Sequence, residues 1–201
     1  GSTDKTEKLI QKFSKTHSGL KVITIAHGGK LAAIRQGVNL AKGEIILFTD
    51  FDQSTPIAEV EKVFEKFSQG ADIVIANRWK NFHDWSFFHI LRSRSFNFFT
   101  QLVILPNISD TQCGFKAFKN NIARKLFSTL KVSNYKEKVK FMGAFDVELL
   151  FLARKLGFKI ESIYVYWQAF KSDRLTASEP LKMFRDIIKI RLLDLVGKYK
   201  I

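Results

Sequence analysis

The stretch that most constrains the fold is an apolar run ending in two carboxylates, Ile45-Ile46-Leu47-Phe48-Thr49-Asp50-Phe51-Asp52. Its flanks, Lys42-Gly43 and Ser54-Thr55-Pro56, are typical of turns, so the pattern predicts a buried strand followed by a loop. Because alternate residues of a strand point to the same side, Asp50 and Asp52 can converge on one point. One interpretation is a divalent-cation and diphosphate site at the carboxyl end of a parallel strand. The other is a solvated acidic turn in which Asp52 caps the following segment.

Helices and strands alternate on both sides of this stretch. Apolar spacing predicts helices over residues 4–18, 31–41, 57–68, 121–130 and 145–157. Apolar or β-branched runs predict further strands over residues 20–26, 71–77 and 159–167. This alternation predicts an α/β domain with a mostly parallel sheet and right-handed crossovers.

Two segments combine apolar and basic side chains. Residues 82–105 interleave seven aromatic rings with His83, His89, Arg92 and Arg94, which fits either a core helix or a surface that meets lipid. Residues 179–196 predict an amphipathic helix that packs on the core, lies on a membrane, or does both. We therefore predict a main domain over residues 1–178, a C-terminal amphipathic helix over 179–201, and membrane contact through both segments.

The charge balance indicates an anionic partner. Lysine and arginine outnumber aspartate and glutamate by 33 to 19, which favours a nucleic acid, a phospholipid surface or a phosphorylated substrate. A nucleic-acid-binding module would explain the charge and the aromatic segment, but not two carboxylates at the end of a buried strand. The segment His27-Gly28-Gly29-Lys30 could place backbone amides and an ammonium near a phosphate, or form a plain tight turn.

Seven groups of residues follow one another along nearly the whole chain: Gly1-Ser2-Thr3-Asp4; Gly29-Lys30 with Ala33-Ile34-Arg35 and Gly37; Asp50-Phe51-Asp52 with Pro56; Arg78; Asp110-Thr111-Gln112-Cys113-Gly114-Phe115-Lys116; Phe145-Asp146-Val147-Glu148-Leu149; and Trp167. Together they resemble the family-2 glycosyltransferases with a GT-A fold. Within that family the chain is most similar to the polyprenyl-phosphate sugar transferases, especially the dolichyl-phosphate β-glucosyltransferases. The group from Asp110 to Lys116 is the most specific of the seven.

The resemblance implies a Rossmann-like GT-A sheet flanked by helices, here lacking its first strand, because relatives carry a strand and an acidic pair before Gly-Ser-Thr-Asp. It implies inverting transfer of one sugar from a nucleotide sugar to a polyprenyl phosphate, with Mg²⁺ or Mn²⁺ as cofactor. UDP-glucose and dolichyl phosphate are the expected substrates, and GDP-mannose is the alternative donor. Nucleic acid is not an expected partner. The expected location is peripheral, on the cytoplasmic side of the endoplasmic reticulum membrane in a eukaryote or of the plasma membrane in a prokaryote.

The resemblance also assigns roles to individual residues. Asp52 would hold the metal and, with Asp146 at the reaction centre, form the catalytic set. The residues that would bind the nucleotide sugar are Asp50, Lys30, Arg35, Asp110, Gln112 and Gly114. The residues that would bind the acceptor phosphate are Arg78, Arg94 and Arg174. Gln168 and the loop at residues 171–174 depart from the family pattern that follows the tryptophan.

Overall fold

The computed structural model describes residues 2, 4–78, 87–132, 144–168 and 179–199, and a four-stranded sheet lies at its centre. The strands are β1 (Ile45–Phe48), β2 (Ile73–Asn77), β3 (Lys116–Lys119) and β4 (Ile160–Tyr164), in the spatial order β1-β3-β2-β4. β3 runs antiparallel to β1 and β2, whereas β2 and β4 pair in parallel. Three of the described strands therefore share one direction, which confirms the predicted α/β fold and brings their carboxyl ends to one edge.

Helices cover both faces of this sheet. They are α1 (Thr6–Ser14), α2 (Gly29–Leu40), α3 (Val60–Ser68, entered by a 3-10 turn at Ile57–Glu59), α4 (Phe87–Val103), α5 (Asn120–Thr129), α6 (Phe145–Lys155) and α7 (Glu179–Leu195). One core cluster joins α2, α4, α5, α6 and α7 to the sheet, and a second joins α3 to the opposite face. The predicted helices at 57–68, 121–130 and 145–157 are confirmed within one or two residues.

The sequence of β2 shows why the sheet is buried on both sides. All five of its residues are buried. Ile73 and Ile75 enter the larger core cluster, and Val74 and Ala76 enter the smaller one. A continuous apolar run of this kind is what a strand covered by helices on both faces requires.

The predicted strand over residues 20–26 is wrong. The segment has no regular secondary structure, and Leu20 and Ile23 are 41% and 45% exposed. A strand needs a neighbour to accept and donate its backbone hydrogen bonds. None of the four described strands pairs with this segment, so its β-branched residues alone do not make it a strand.

α7 has two apolar faces. Ile187 and Ile190 are fully buried in the larger core cluster, so the predicted packing of this helix on the core is confirmed. A second apolar face of this amphipathic helix points outward through Leu181 (73% exposed), Ile188 (47%), Leu192 (56%) and Leu195 (67%). The helix therefore packs on the main domain and still presents an open apolar stripe, which we call the α7 stripe. The predicted boundary at residue 178 lies outside the described residues.

α4 occupies most of the aromatic segment and packs against α7. The Phe184 ring of α7 contacts Phe96 and Phe99 edge-on, with ring centroids 5.5 and 5.0 Å apart. Leu91, Phe98 and Leu102 of α4 remain exposed. Residues 79–86, which complete the predicted segment, lie outside the described part. In the part of the chain that the structure describes, no helix has the length and apolarity needed to cross a bilayer.

Substitution of Phe118 tests how much the larger core cluster contributes to stability. Its ring is fully buried and lies 5.9 Å from the Phe48 ring and 6.3 Å from the Phe127 ring. We expect Phe118→Ala to lower the free energy of unfolding of the full-length protein by about 3–5 kcal/mol, because it leaves a cavity at the sheet. Urea denaturation followed by tryptophan fluorescence measures this change.

The matched control is Phe64→Ala, because this α3 ring is 55% exposed. Its loss is expected to stay below about 1 kcal/mol. Equal losses in the two variants would contradict the described core.

Candidate active site

Lys30 and Asp50 form the first contact of the site at the carboxyl end of β1. Lys30 lies in the first turn of α2, just after Gly29, whose φ of +72° favours glycine. The Lys30 Nζ atom is 2.5 Å from Asp50 Oδ1. Burial by itself would lower the pKa of Lys30, but the negative charges of Asp146 and Asp50 outweigh it and raise the pKa above the ordinary value of 10.5. The lysine therefore stays charged, and the turn that precedes α2 does place an ammonium at the Asp-x-Asp motif.

Gly114 lies directly against the Asp50 carboxylate. A Cβ atom at this position would be 1.8 Å from Asp50 Oδ2 and 2.4 Å from its Cγ, far inside any permitted contact. Any other residue at position 114 would force the Asp50 carboxylate out of its present position. Gly114 thus forms one wall of a cradle whose other wall is Lys30.

Asp52 makes a local turn. Its Oδ1 atom accepts hydrogen bonds from the Ser54 backbone amide at 2.9 Å and from Ser54 Oγ at 2.8 Å. This is the capping role that the residues alone left open. Within the described part of the chain both contacts fall on Oδ1, so the second carboxylate oxygen is available to a ligand.

These two carboxylates fit one kind of metal site. Among the described residues there is no group of three or more His, Cys, Asp or Glu side chains that could hold a metal by itself. Mg²⁺ and similar ions commonly use one or two carboxylates and take their other ligands from substrate phosphates and water. Asp50 and Asp52, two residues apart in the turn after β1, are of the chemical type that can share a divalent ion with a diphosphate.

Asp146 reaches the same region from the first turn of α6. Its Oδ1 atom is 2.7 Å from Lys116 Nζ, and this lysine at the start of β3 is fully buried. The same ammonium donates a hydrogen bond to the Cys113 carbonyl. Through Lys116 and the Cys113 carbonyl, Asp146 is linked to the loop in which Gly114 meets Asp50, and Asp50 in turn contacts Lys30. The predicted roles of these residues stay predictions.

Asp110 organises the loop that carries Gly114. Its carboxylate accepts five hydrogen bonds: from Arg78 Nε (2.8 Å), Nη2 (3.0 Å) and backbone amide (3.1 Å), and from the amides of Gln112 (3.0 Å) and Cys113 (3.2 Å). These fill the acceptor capacity of a carboxylate. Asp110 therefore holds the loop in shape, and its predicted contact with the nucleotide sugar stays a prediction.

Arg78 is committed to the same interaction. Its two-pronged contact with Asp110 is buried, and its guanidinium carbon lies 5.2 Å from the centre of the Trp167 ring. Burial alone would raise the pKa of Asp110, but the charge and hydrogen bonds of Arg78 lower it below the ordinary value of 3.8. The pair is thus ionised, and the predicted role of Arg78 at an acceptor phosphate stays a prediction.

The remaining predicted site residues are Arg35, Gln112, Arg94 and Arg174. Arg35 Nη2 donates to the Phe127 carbonyl at the end of α5 at 3.1 Å, because that carbonyl is left open by its helix. Gln112 Nε2 donates to Thr111 Oγ1 at 3.2 Å. Arg94 is exposed on α4, and Arg174 lies outside the described residues. Their predicted roles stay predictions.

Sequence reasoning assigned no role to Lys116 or Trp167, although both belong to matched groups of residues. A signal for Lys116 was present, since a lysine stands among Phe115, Ala117 and Phe118 in a strand that is buried. A cation in such a place needs a buried partner, and Asp146 is that partner. Nothing in the sequence indicated that Trp167 would cover Arg78.

A sequence match now identifies the family. Residues 1–127 match the family described as "Glycosyl transferase family 2". The chain belongs to glycosyltransferase family 2. This membership supports the glycosyltransferase interpretation over the nucleic-acid-binding alternative.

Relatives match along the whole chain. A dolichyl-phosphate β-glucosyltransferase of Drosophila melanogaster is 34% identical over 215 residues, and one of Homo sapiens is 31% identical over 215 residues. Both alignments cover 100% of this chain and 64% of the relative, so the chain spans less than two thirds of those proteins. Glucosyl-3-phosphoglycerate synthase from Mycobacterium tuberculosis, solved with Mn²⁺, UDP and phosphoglyceric acid, has a TM-score of 0.59 and 20% identity, and the match covers 98% of this chain and 65% of that one. The fold is the predicted GT-A fold.

The Arg78–Asp110 pair makes an acid-dependent prediction. A carboxyl whose pKa is lowered on folding contributes stability above its unfolded pKa, and that contribution is lost as the pH falls through the folded pKa. The pKa of Asp110 is lowered from 3.8, so part of the protein's stability should disappear on acidification below about pH 4. We expect Asp110→Asn to lower the free energy of unfolding by about 3 kcal/mol or more at pH 7, and to weaken its dependence on pH below 4.

Urea denaturation of the full-length protein across a pH series measures both effects. Glu161→Gln is the matched control, because this carboxylate is 3.7 Å from Lys159 and partly exposed, so it should cost less than about 1 kcal/mol. An unchanged acid dependence in Asp110→Asn would show that Asp110 is not the group responsible.

Proposed function

We propose that this chain is the catalytic part of an inverting dolichyl-phosphate glucosyltransferase, which transfers glucose from UDP-glucose to the phosphate of dolichyl phosphate. The observation that carries the proposal is the Asp50 carboxylate held between Lys30 and Gly114, two residues before Asp52. The names of the relatives that match the entire chain support glucose and dolichyl phosphate over the GDP-mannose alternative.

Charge compensation supports a divalent ion, Mg²⁺ or Mn²⁺, in this site. Lys30 is paired with Asp50, Lys116 with Asp146 and Arg78 with Asp110, so these cations leave no surplus charge for a nucleoside diphosphate. Asp52 adds one further negative charge. Asp50 and Asp52 would hold the ion, which when bound neutralises the charge on the departing diphosphate. A solved protein of the same fold contains Mn²⁺ and UDP, and this favours Mn²⁺ without excluding Mg²⁺.

The acceptor needs little activation. A phosphate monoester has a second pKa of about 6, so its attacking oxygen is largely anionic at neutral pH. That oxygen forms a bond to C1 of glucose from the face opposite UDP, and the electrons of the breaking C1–O bond leave with UDP. Asp146, held by Lys116, would orient the reacting groups rather than remove a proton, because the nucleophile has already lost it.

The outer surface supports peripheral binding to a membrane that contains the lipid acceptor. The α7 stripe and the exposed Leu91, Phe98 and Leu102 of α4 offer apolar contact. Arg185 and Arg191 of α7, with side chains 72% and 47% exposed, stand beside the stripe and can reach lipid phosphates. We propose that this surface lies on the cytoplasmic side of the membrane, at the endoplasmic reticulum in a eukaryote or the plasma membrane in a prokaryote.

Gly114→Ala tests the proposed donor site. The added methyl group must displace the Asp50 carboxylate, so we expect at least a hundredfold loss of glucose transfer, on the order of 3 kcal/mol. We also expect weaker Mn²⁺ and UDP binding by calorimetry, with little change in stability. Gly37→Ala is the matched control, because a methyl group there meets nothing within 4 Å.

Transfer is measured with radiolabelled UDP-glucose and dolichyl phosphate in the full-length protein, with Asp52→Ala as the metal-site variant. Full activity in Asp52→Ala, or turnover without a divalent ion, would refute the proposed role of Asp52. Transfer from GDP-mannose in preference to UDP-glucose would refute the proposed donor.

Membrane binding is tested by flotation with vesicles containing anionic lipid. We expect full-length Ile188→Glu/Leu192→Glu to float less than wild type, because two charges enter the α7 stripe and oppose burial in the interface. Leu9→Glu on α1 is the control, since this side chain is 65% exposed and lies outside the stripe. Equal flotation of all three proteins would contradict the proposed surface.

A further inference from the structure

Glu148 is a buried carboxylate without a part in the proposed site. It is fully buried in the first half of α6, two residues after Asp146. Its Oε1 atom accepts hydrogen bonds from the backbone amides of Lys131 at 2.5 Å and Val132 at 2.9 Å, and from the Tyr199 hydroxyl at 2.6 Å. One oxygen thus joins the segment after α5, the start of α6 and the segment after α7.

Tyr199 is built into this junction. The residue is fully buried, its ring meets the Phe151 ring of α6 edge-on with centroids 5.6 Å apart, and Lys131 Nζ lies 5.7 Å from its ring centre. The Lys131 ammonium also donates to the Lys198 carbonyl. Burial raises the pKa of the Tyr199 hydroxyl well above 10, and Glu148 adds to this, so the group remains a neutral donor. Both the hydroxyl and the ring of Tyr199 therefore contact α6.

α7 approaches α6 at a second place. Asp186 is buried on the inner side of α7, next to the residue that precedes α6. Burial raises the pKa of Asp186, and Arg185 and a hydrogen bond from the Ala144 amide offset this only in part. The C-terminal helix and the segment after it thus both contact the beginning of α6.

Because Asp146 and Glu148 belong to the same helix, a rotation of α6 that displaces Glu148 also displaces Asp146. Two positions two residues apart on an α-helix are about 200° apart around its axis. Asp146 and Glu148 accordingly face opposite ways, one toward Lys116 and the other toward Tyr199. With side chains ending about 5–6 Å from the axis, a rotation of about 10° moves such an end by about 1 Å. A misplacement of about 1 Å can lower a reaction rate by about a hundredfold.

We propose that Tyr199 is a positioning residue: its hydrogen bond to Glu148 fixes the rotation of α6 and so holds Asp146 in place for glucose transfer. The inference rests on the proposed function for the reaction, whereas the contact itself does not depend on it. Tyr199 meets Glu148, Phe151 and Lys131, none of which belongs to the proposed site. Its effect on the reaction therefore passes through Glu148 and α6.

Tyr199→Phe in the full-length protein tests this, because it removes the hydroxyl and keeps the buried ring. We expect kcat for glucose transfer to fall at least about tenfold, while KM for UDP-glucose stays within about twofold, because the Lys30–Asp50 contact lies outside α6. Amide hydrogen exchange should be at least about fivefold faster at residues 131–132 and 145–149, where Glu148 holds the backbone. Tyr166→Phe is the matched control, as this tyrosine is 54% exposed.

Each result has a defined meaning. Slower turnover with faster exchange in α6, and neither change in Tyr166→Phe, supports the proposal. Normal turnover overturns it, whether or not exchange changes, because the contact would then be structural only. Slower turnover with unchanged exchange in α6 overturns it too, since Tyr199 would act by another route. A wild-type protein without glucosyltransferase activity would refute the proposed function. Hydrogen exchange in α6 that is the same in Tyr199→Phe as in wild type would independently refute control of α6 by Tyr199.

Discussion

The loop that enters β3 depends on the Asp110 carboxylate, and the rest of the site depends on that loop. β3 runs opposite to β1 and β2, so it begins at the edge where those two strands end. The loop must therefore return to this edge, and the five hydrogen bonds on Asp110 fix its path there. Gly114 then lies against Asp50, and Lys116 enters the core facing Asp146. The antiparallel direction of β3 and the hydrogen bonds on Asp110 together set the relative positions of β1, β3 and α6.

The site consists of compensated charges rather than free ones. Buried ion pairs add little net stability, because desolvation offsets most of their attraction, yet losing one partner is costly. The Lys116–Asp146 and Arg78–Asp110 pairs are therefore better understood as devices that hold side chains in place. Under the proposed function, two anionic substrates would then be bound by a divalent ion at Asp50 and Asp52 and by the basic outer surface. α4 and α7, which form that surface, pack in the same hydrophobic core cluster as α6. The α7 stripe and the helix that carries Asp146 are therefore linked through one core.

Local pattern predicted much of the fold and part of the site. The continuous apolar run of β2, the helical spacing of α3 and the Asp-x-Asp after β1 all lie where sequence reasoning placed them. The failures occurred where a contact between distant segments decides. Residues 20–26 have strand-forming residues but pair with no described strand. The structure also shows that Asp110 and Arg78 pair with each other, and that Arg35 donates to an open carbonyl of α5. Local pattern indicated neither contact, and the predicted ligand roles of these three residues stay predictions.

The sequence by itself determined the residue types and their order: an acidic pair after a buried strand, a glycine before a buried lysine, and an aspartate in the first turn of a helix. These follow from local periodicity and from the chemistry of single side chains, which neighbouring residues reveal. Only the tertiary structure decided which charges neutralise each other, which face of α7 remains open, and that Tyr199 meets Glu148 from the far end of the chain. The physical reason is that electrostatic and packing contacts act through space. Tyr199 and Glu148 are 51 positions apart in the sequence, yet the hydroxyl of one lies 2.6 Å from the carboxylate of the other, and no local sequence pattern predicts that contact.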